Sequence, residues 1–104
     1  MELTGRAAVG TVREAAVLEG ARTPAYRLRI DFGPAIGERW SSAQLTELYD
    51  AEDLVGRQVV GLVDLQPKRI AGFVSEILVL GLPSDEGIVL LAPDRPVADG
   101  AEVF

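Results

Sequence analysis

The chain has 104 residues, of which 48% are hydrophobic and 25% charged, and a formal net charge of −6 at pH 7. That suits one domain with one modest core and is too apolar for disorder. Neither Cys nor His occurs, which excludes disulfides, thiolate nucleophiles, the usual zinc sites and Ser-His-Asp or Cys-His catalysis.

No pair of carboxylates is positioned by the pattern, so the expectation is a protein with no catalytic residues, no metal and no cofactor. Charge is uneven: residues 1–40 hold six Arg against five acids, and residues 41–104 hold four bases against eleven acids. This balance favours solubility and opposes nonspecific attraction to phosphate, so any nucleic-acid contact needs a local basic face. Nine of the ten basic residues are Arg, which offers bidentate phosphate forks; an Arg-rich codon usage explains the bias as well. The opening "MELTGRAAVG" lacks the apolar run of a secretory leader. No stretch approaches the roughly 20 apolar residues that cross a bilayer. A cytoplasmic protein with no membrane insertion is expected.

The first predicted strand runs from Ala7 to Ala16, where Val9 and Thr11 alternate with Gly10 and Val12. "AYRLRIDFG" follows as the clearest strand: Tyr26, Leu28, Ile30 and Phe32 share one face, and Arg27, Arg29 and Asp31 the other. A short strand from Glu38 to Ser42 comes next. "YDAEDLVG" predicts one or two helical turns, capped by the Asp50 side chain and stopped by Gly56. Gln58–Leu65 and Val74–Leu80 are expected to be two buried strands. "EGIVLLAP" adds another after an Asp-Glu-Gly turn, and Ala101–Phe104 a short last one. Three strands, a short helix and two more strands is the order of an all-β OB-fold, a five-stranded Greek-key barrel, with extra C-terminal strands. A different small barrel or sandwich has the same pattern. One domain over residues 1–104 is expected.

The stretches "SSAQL", "PKRIAGFVSEILVLG" and "PDRPV" together resemble the tRNA-binding-domain superfamily, and within it the CsaA-type export chaperones. The resemblance spans nearly the whole chain. It implies an OB-fold, a homodimer built partly from the terminal segments, and no catalysis. It also implies presecretory or unfolded polypeptides as partners, with tRNA as a second partner. Two departures from the family pattern stand out. Arg6-Ala7-Ala8 replaces Asp-Ile-Arg on the first strand, where an Arg at Ala8 would be offered to RNA or to a neighbouring acid. Asp64 replaces an Asn, which should repel phosphate.

Eleven residues are candidate binders of peptide or tRNA. Lys68 and Arg69, behind Pro67, form either a basic rim to the barrel face or a solvated turn that discourages edge pairing. Ser75 and Glu76 then start the next strand with polar side chains directed at the ligand. Arg27 and Arg29 are either a phosphate-binding stripe or a solubilising face paired to Asp31 or Glu14; Arg13 belongs to the same question. Ser41, Ser42 and Gln44 either bond a ligand or cap the turn toward the helix. Trp40 either stacks on a base, covers a peptide-binding hollow, packs at a dimer seam or fills the core; Phe73, beside the basic turn, faces the same choice. The apolar end Val103-Phe104 suggests burial, against a second subunit or its own barrel.

Overall fold

Tyr26, Leu28, Ile30 and Phe32 all turn inward, with exposures between 7% and zero, and form the centre of the one core cluster. The alternating faces of that strand are what the rest of the chain wraps around. The computed structural model describes residues 6–104. Residues 1–5, part of the opening stretch read for a leader, lie outside them.

The elements in chain order are β1 (Ala7–Val17), β2 (Tyr26–Asp31), β3 (Glu38–Ala43), α1 (Ala51–Leu54), β4 (Gln58–Leu62), β5 (Lys68–Ile70), β6 (Phe73–Ser75), β7 (Leu78–Val79), β8 (Gly81–Ser84) and β9 (Gly87–Leu90). One antiparallel sheet has the order β3-β2-β1-β4-β7, while β5–β6 and β8–β9 are separate hairpins. The sheet curls until its two ends meet, giving the nearly closed five-stranded barrel of an OB-fold. Closure is made at β3, where the Glu76 N–H donates to the Trp40 carbonyl at 2.8 Å.

β1 is buried on both faces from Ala8 to Val12. Its inward residues Ala8 and Val12 join the core. Its outward side is covered by the chain after Pro96: Val9 N–H donates to Ala101 O at 2.9 Å, and Thr11 Oγ1 donates to Asp99 Oδ1 at 2.6 Å. A β-bulge between Val12 and Glu14 places two β1 residues opposite one of β2, so that Glu14 stands beside Arg29. Gly10 is required by close approach, since a Cβ there would lie 2.7 Å from Ile30 Cγ2 and from Phe32 Cδ1.

Several expected boundaries are corrected. β4 ends at Leu62 rather than Leu65: Val63 N–H still meets Arg6 O across from β1, and beyond it the Asp64 side chain, not a strand carbonyl, takes the Arg6 N–H at 2.7 Å. The expected buried strand Val74–Leu80 is broken: β6 turns back on β5, β7 is two residues long, and Val74 and Leu78 are 39% and 49% exposed. Asp50 makes no side-chain cap; its backbone carbonyl accepts from Asp53 N–H at 3.1 Å instead. The expected last strand is a single bridge from Ala8 to Glu102. Phe104 does not tuck into its own barrel and is fully exposed in the single chain.

The two departures from the family pattern also have a structural account. Ala8 is wholly buried, so an arginine there would enter the core rather than face a ligand. Asp64 holds the start of β1 through the Arg6 N–H, while the Arg6 guanidinium pairs with Glu102.

Candidate binding site

The eleven candidate residues separate into an outer face, a cavity and two outliers. The outer face is built by β2 and β3, whose register sets Arg29 opposite Trp40 and Arg27 opposite Ser42. Because Leu28 and Ile30 take the inner side, Arg27 and Arg29 must point out. They are neutralised there. Arg29 Nη1 meets Glu38 Oε2 at 2.6 Å and its Nε meets Glu14 Oε1 at 3.5 Å. Arg27 Nη1 lies 3.5 Å from Glu14 Oε2, and its guanidinium carbon stands 5.8 Å from the Trp40 ring centroid. Arg13 faces Asp31 and Asp99 at 3.8 and 4.0 Å. The indole of Trp40 meets Phe73 edge-to-face, with centroids 5.9 Å apart. Such a contact contributes about 0.5–1.5 kcal/mol beyond area burial.

That aromatic contact anchors the β5–β6 hairpin. Its register pairs Lys68 with Ser75, Arg69 with Val74 and Ile70 with Phe73, so alternate pairs face opposite ways. Ala71 and Gly72 form the two-residue tip with φ of 52° and 80°. Both signs suit a hairpin turn matched to strand twist, although Ala carries the Cβ strain that Gly avoids. Lys68, Ile70 and Ser75 line a cavity of about 520 Å³ between the hairpin, the end of β3, β7 and the β8–β9 hairpin. Arg69 is on the hairpin's other side, its Nη1 3.4 Å from Gly72 O. Lys68 and Arg69 therefore do not form one rim.

The cavity floor is apolar, from Leu45, Ile77, Val79, Ile88 and Leu90, and the polar groups stand around it. Ser42, Gln44, Lys68, Ser75 and Glu76 of the candidate set all line it. Two of these spend their polar atoms internally. Ser75 Oγ accepts the Ser42 N–H at 3.1 Å and donates to Ile77 O at 3.2 Å. Glu76 Oε1 accepts the Trp40 N–H at 3.0 Å. These two side chains thus occupy positions on the β3 edge that a neighbouring strand's carbonyls would fill. Ser41 is wholly buried, with its hydroxyl directed at the carbonyls of Ser42 and Ile77, at 2.9 and 3.3 Å.

Sequence reasoning missed the contribution of Leu65 and Gln66 to the lining, and of Ile88 and Leu90 from β9. It also passed over Glu38 as the partner of Arg29. β9 itself was expected from "EGIVLLAP"; no local pattern showed that its Ile88 and Leu90 reach the cavity. Among the described residues, no group of three or more acids stands close enough to hold a metal ion. No helix among them is long and apolar enough to cross a membrane.

A curled five-stranded barrel with a short helix before β4 and a lined cavity beside β3 defines a small β-barrel domain of the OB-fold class. The sequence pattern of the tRNA-binding domain matches residues 7–102, and the chain belongs to that family. Within it, the similarity is to CsaA-type members. The chaperone CsaA from Bacillus anthracis superposes with a TM-score of 0.89 at 46% identity, over 97% of this chain and 92% of that one. The CsaA chaperone protein from Picrophilus torridus gives 0.92 at 38% identity, with the same two coverages. A methionine–tRNA ligase from Methanothrix thermoacetophila is 37% identical over 95 residues, which is 91% of this chain and 14% of that protein. The chain thus spans about one seventh of the length of that relative.

Proposed function

We propose that this protein is a non-catalytic, cytoplasmic CsaA-like export chaperone that holds unfolded or presecretory polypeptide in the cavity beside β3. The observation that carries the reading is the apolar floor of Leu45, Ile77, Val79, Ile88 and Leu90 under Ser42, Gln44 and Lys68. An extended segment presents apolar side chains and backbone polar groups together, and this lining answers both. Likeness to two CsaA chaperones over 97% of the chain supports the same reading. It acts as a homodimer, which would cover the exposed Val103 and Phe104.

Binding of tRNA is the second reading, supported by the tRNA-binding-domain match and by the likeness to a methionine–tRNA ligase. Among the described residues, no acid lies within ion-pair distance of Lys68 or Arg69, and Trp40 with Phe73 offers an aromatic surface beside them. RNA recognition of this kind uses phosphate contacts and stacking on unpaired bases. The neutralised Arg27 and Arg29 weigh against it as the primary activity.

Salt separates the two. Unfolded or signal-like peptides should bind with weak salt dependence and clients should be kept from aggregating; failure with every client refutes the first reading. Binding of tRNA should fall with a logarithmic slope of about −0.7 per single-strand phosphate neutralised, and no binding at low salt refutes the second. Lys68→Glu with Arg69→Glu should weaken RNA binding while leaving thermal stability unchanged.

A further inference from the structure

We propose that Lys68 makes the cavity selective for apolar segments that carry an acidic side chain next to the apolar anchor. The inference rests on the peptide-binding reading above and adds the chemical class of the occupant. Lys68 and Glu76 are the one base and the one acid on the lining. Their situations differ. Glu76 Oε1 is held by the Trp40 N–H, and the Glu76 N–H by the Trp40 carbonyl, so that residue is fastened to β3.

Lys68 has no carboxylate within 4 Å and no side-chain hydrogen bond among the described residues, although five of the ten basic residues do have an acid that close. Of the five basic residues without such a partner among the described residues, Lys68 alone lines the cavity. The hairpin register explains why it stays there. Pairing with the buried Ser75, whose hydroxyl is tied to Ser42 and Ile77, fixes Lys68 on the cavity side of β5. Arg69, one residue on, is sent to the other side and does not line the cavity.

The other polar groups at the mouth point to the same chemistry. Ser42, Gln44 and Gln66 are among the lining residues, their side chains have no hydrogen-bond partner among the described residues, and each can donate. A carboxylate, which only accepts, complements three such donors and an ammonium. An incoming ammonium or guanidinium would meet Lys68 and gain only the one carboxylate already engaged with β3. The segment class is thus an apolar side chain on the floor, with Asp or Glu beside it at the mouth.

The test uses the full chain and fluorescein-labelled ten-residue peptides that share one Leu-Leu anchor. They differ only in Glu, Gln or Lys at the flanking position. Fluorescence anisotropy at low salt should rank Glu above Gln above Lys, with Glu favoured over Gln by roughly two- to fivefold, the range of an exposed ion pair. The preference should shrink as salt rises. Lys68→Gln should remove it and Lys68→Glu should reverse it, whereas Arg69→Gln should leave it in place. Equal binding of the three peptides, or a preference that survives Lys68→Gln, overturns the inference while leaving peptide binding intact. Failure of all three peptides to bind refutes the peptide-binding reading, and the inference falls with it. The Lys68 side chain is exposed and makes no hydrogen bond or ion pair among the described residues, so an unchanged melting temperature confirms that each variant is folded.

Discussion

Ser75→Ala tests whether the barrel is closed by side chains standing in for a strand. Ser75 is 8% exposed, and its hydroxyl links Ser42 N–H at 3.1 Å to Ile77 O at 3.2 Å. The single Ser41 hydroxyl proton is shared between Ser42 O at 2.9 Å and Ile77 O at 3.3 Å, and nothing else among the described residues serves the Ser42 N–H. Alanine removes both hydrogen bonds and leaves the part-buried Ser42 N–H without its partner, so the expected cost is about 1–3 kcal/mol. For a domain of this size that lowers the melting temperature by roughly 5–15 °C. Glu76→Gln keeps an oxygen for the Trp40 N–H and should cost under about 1 kcal/mol, while Glu76→Leu should cost about as much as Ser75→Ala. Thermal denaturation followed by circular dichroism reads stability. Emission of Trp40, the one Trp in the chain, reads the closure locally. All comparisons are made at equal protein concentration. A melting temperature within a degree of the parent for both Ser75→Ala and Glu76→Leu would refute the reasoning and release both side chains for ligand contact.

Gly10→Ala places a Cβ 2.7 Å from Ile30 Cγ2 and Phe32 Cδ1, and overpacking should cost about 1–3 kcal/mol in denaturant titration. Ala71→Gly should stabilise the hairpin by up to about 1 kcal/mol, since φ of 52° at Ala71 strains a Cβ; a lower melting temperature would contradict this. Glu14→Gln removes the shared partner of Arg27 and Arg29, so tRNA binding should tighten and its salt slope steepen, an outcome read by titration at several salt concentrations.

Much of the barrel was legible before any coordinate. The alternation of Tyr26, Leu28, Ile30 and Phe32 dictates a strand with one dry face, and the stretches "SSAQL" and "PDRPV" carry the family pattern that the matched residues 7–102 bear out. The absence of Cys and His bounds the chemistry without any fold at all. The short helix was placed correctly but not its cap, because a side-chain cap is only one way to satisfy a first-turn N–H, and here the Asp50 backbone carbonyl served.

The candidate site was less legible, for one physical reason. A period of two says which residues share a face, but not what covers that face. For Arg27 and Arg29 the sequence left open a phosphate stripe or a face paired to Asp31 or Glu14; Glu14 and Glu38 neutralise them, reaching them only through strand pairing and the bulge in β1. Lys68 and Arg69 look like one basic pair until the hairpin sends them to opposite sides. Composition and local patterning determined that this protein is a small all-β domain without Cys or His. Only the tertiary structure decided which polar groups remain unspent, because Ser75 and Glu76 meet partners more than thirty residues away, and no local pattern encodes a pairing register across that distance.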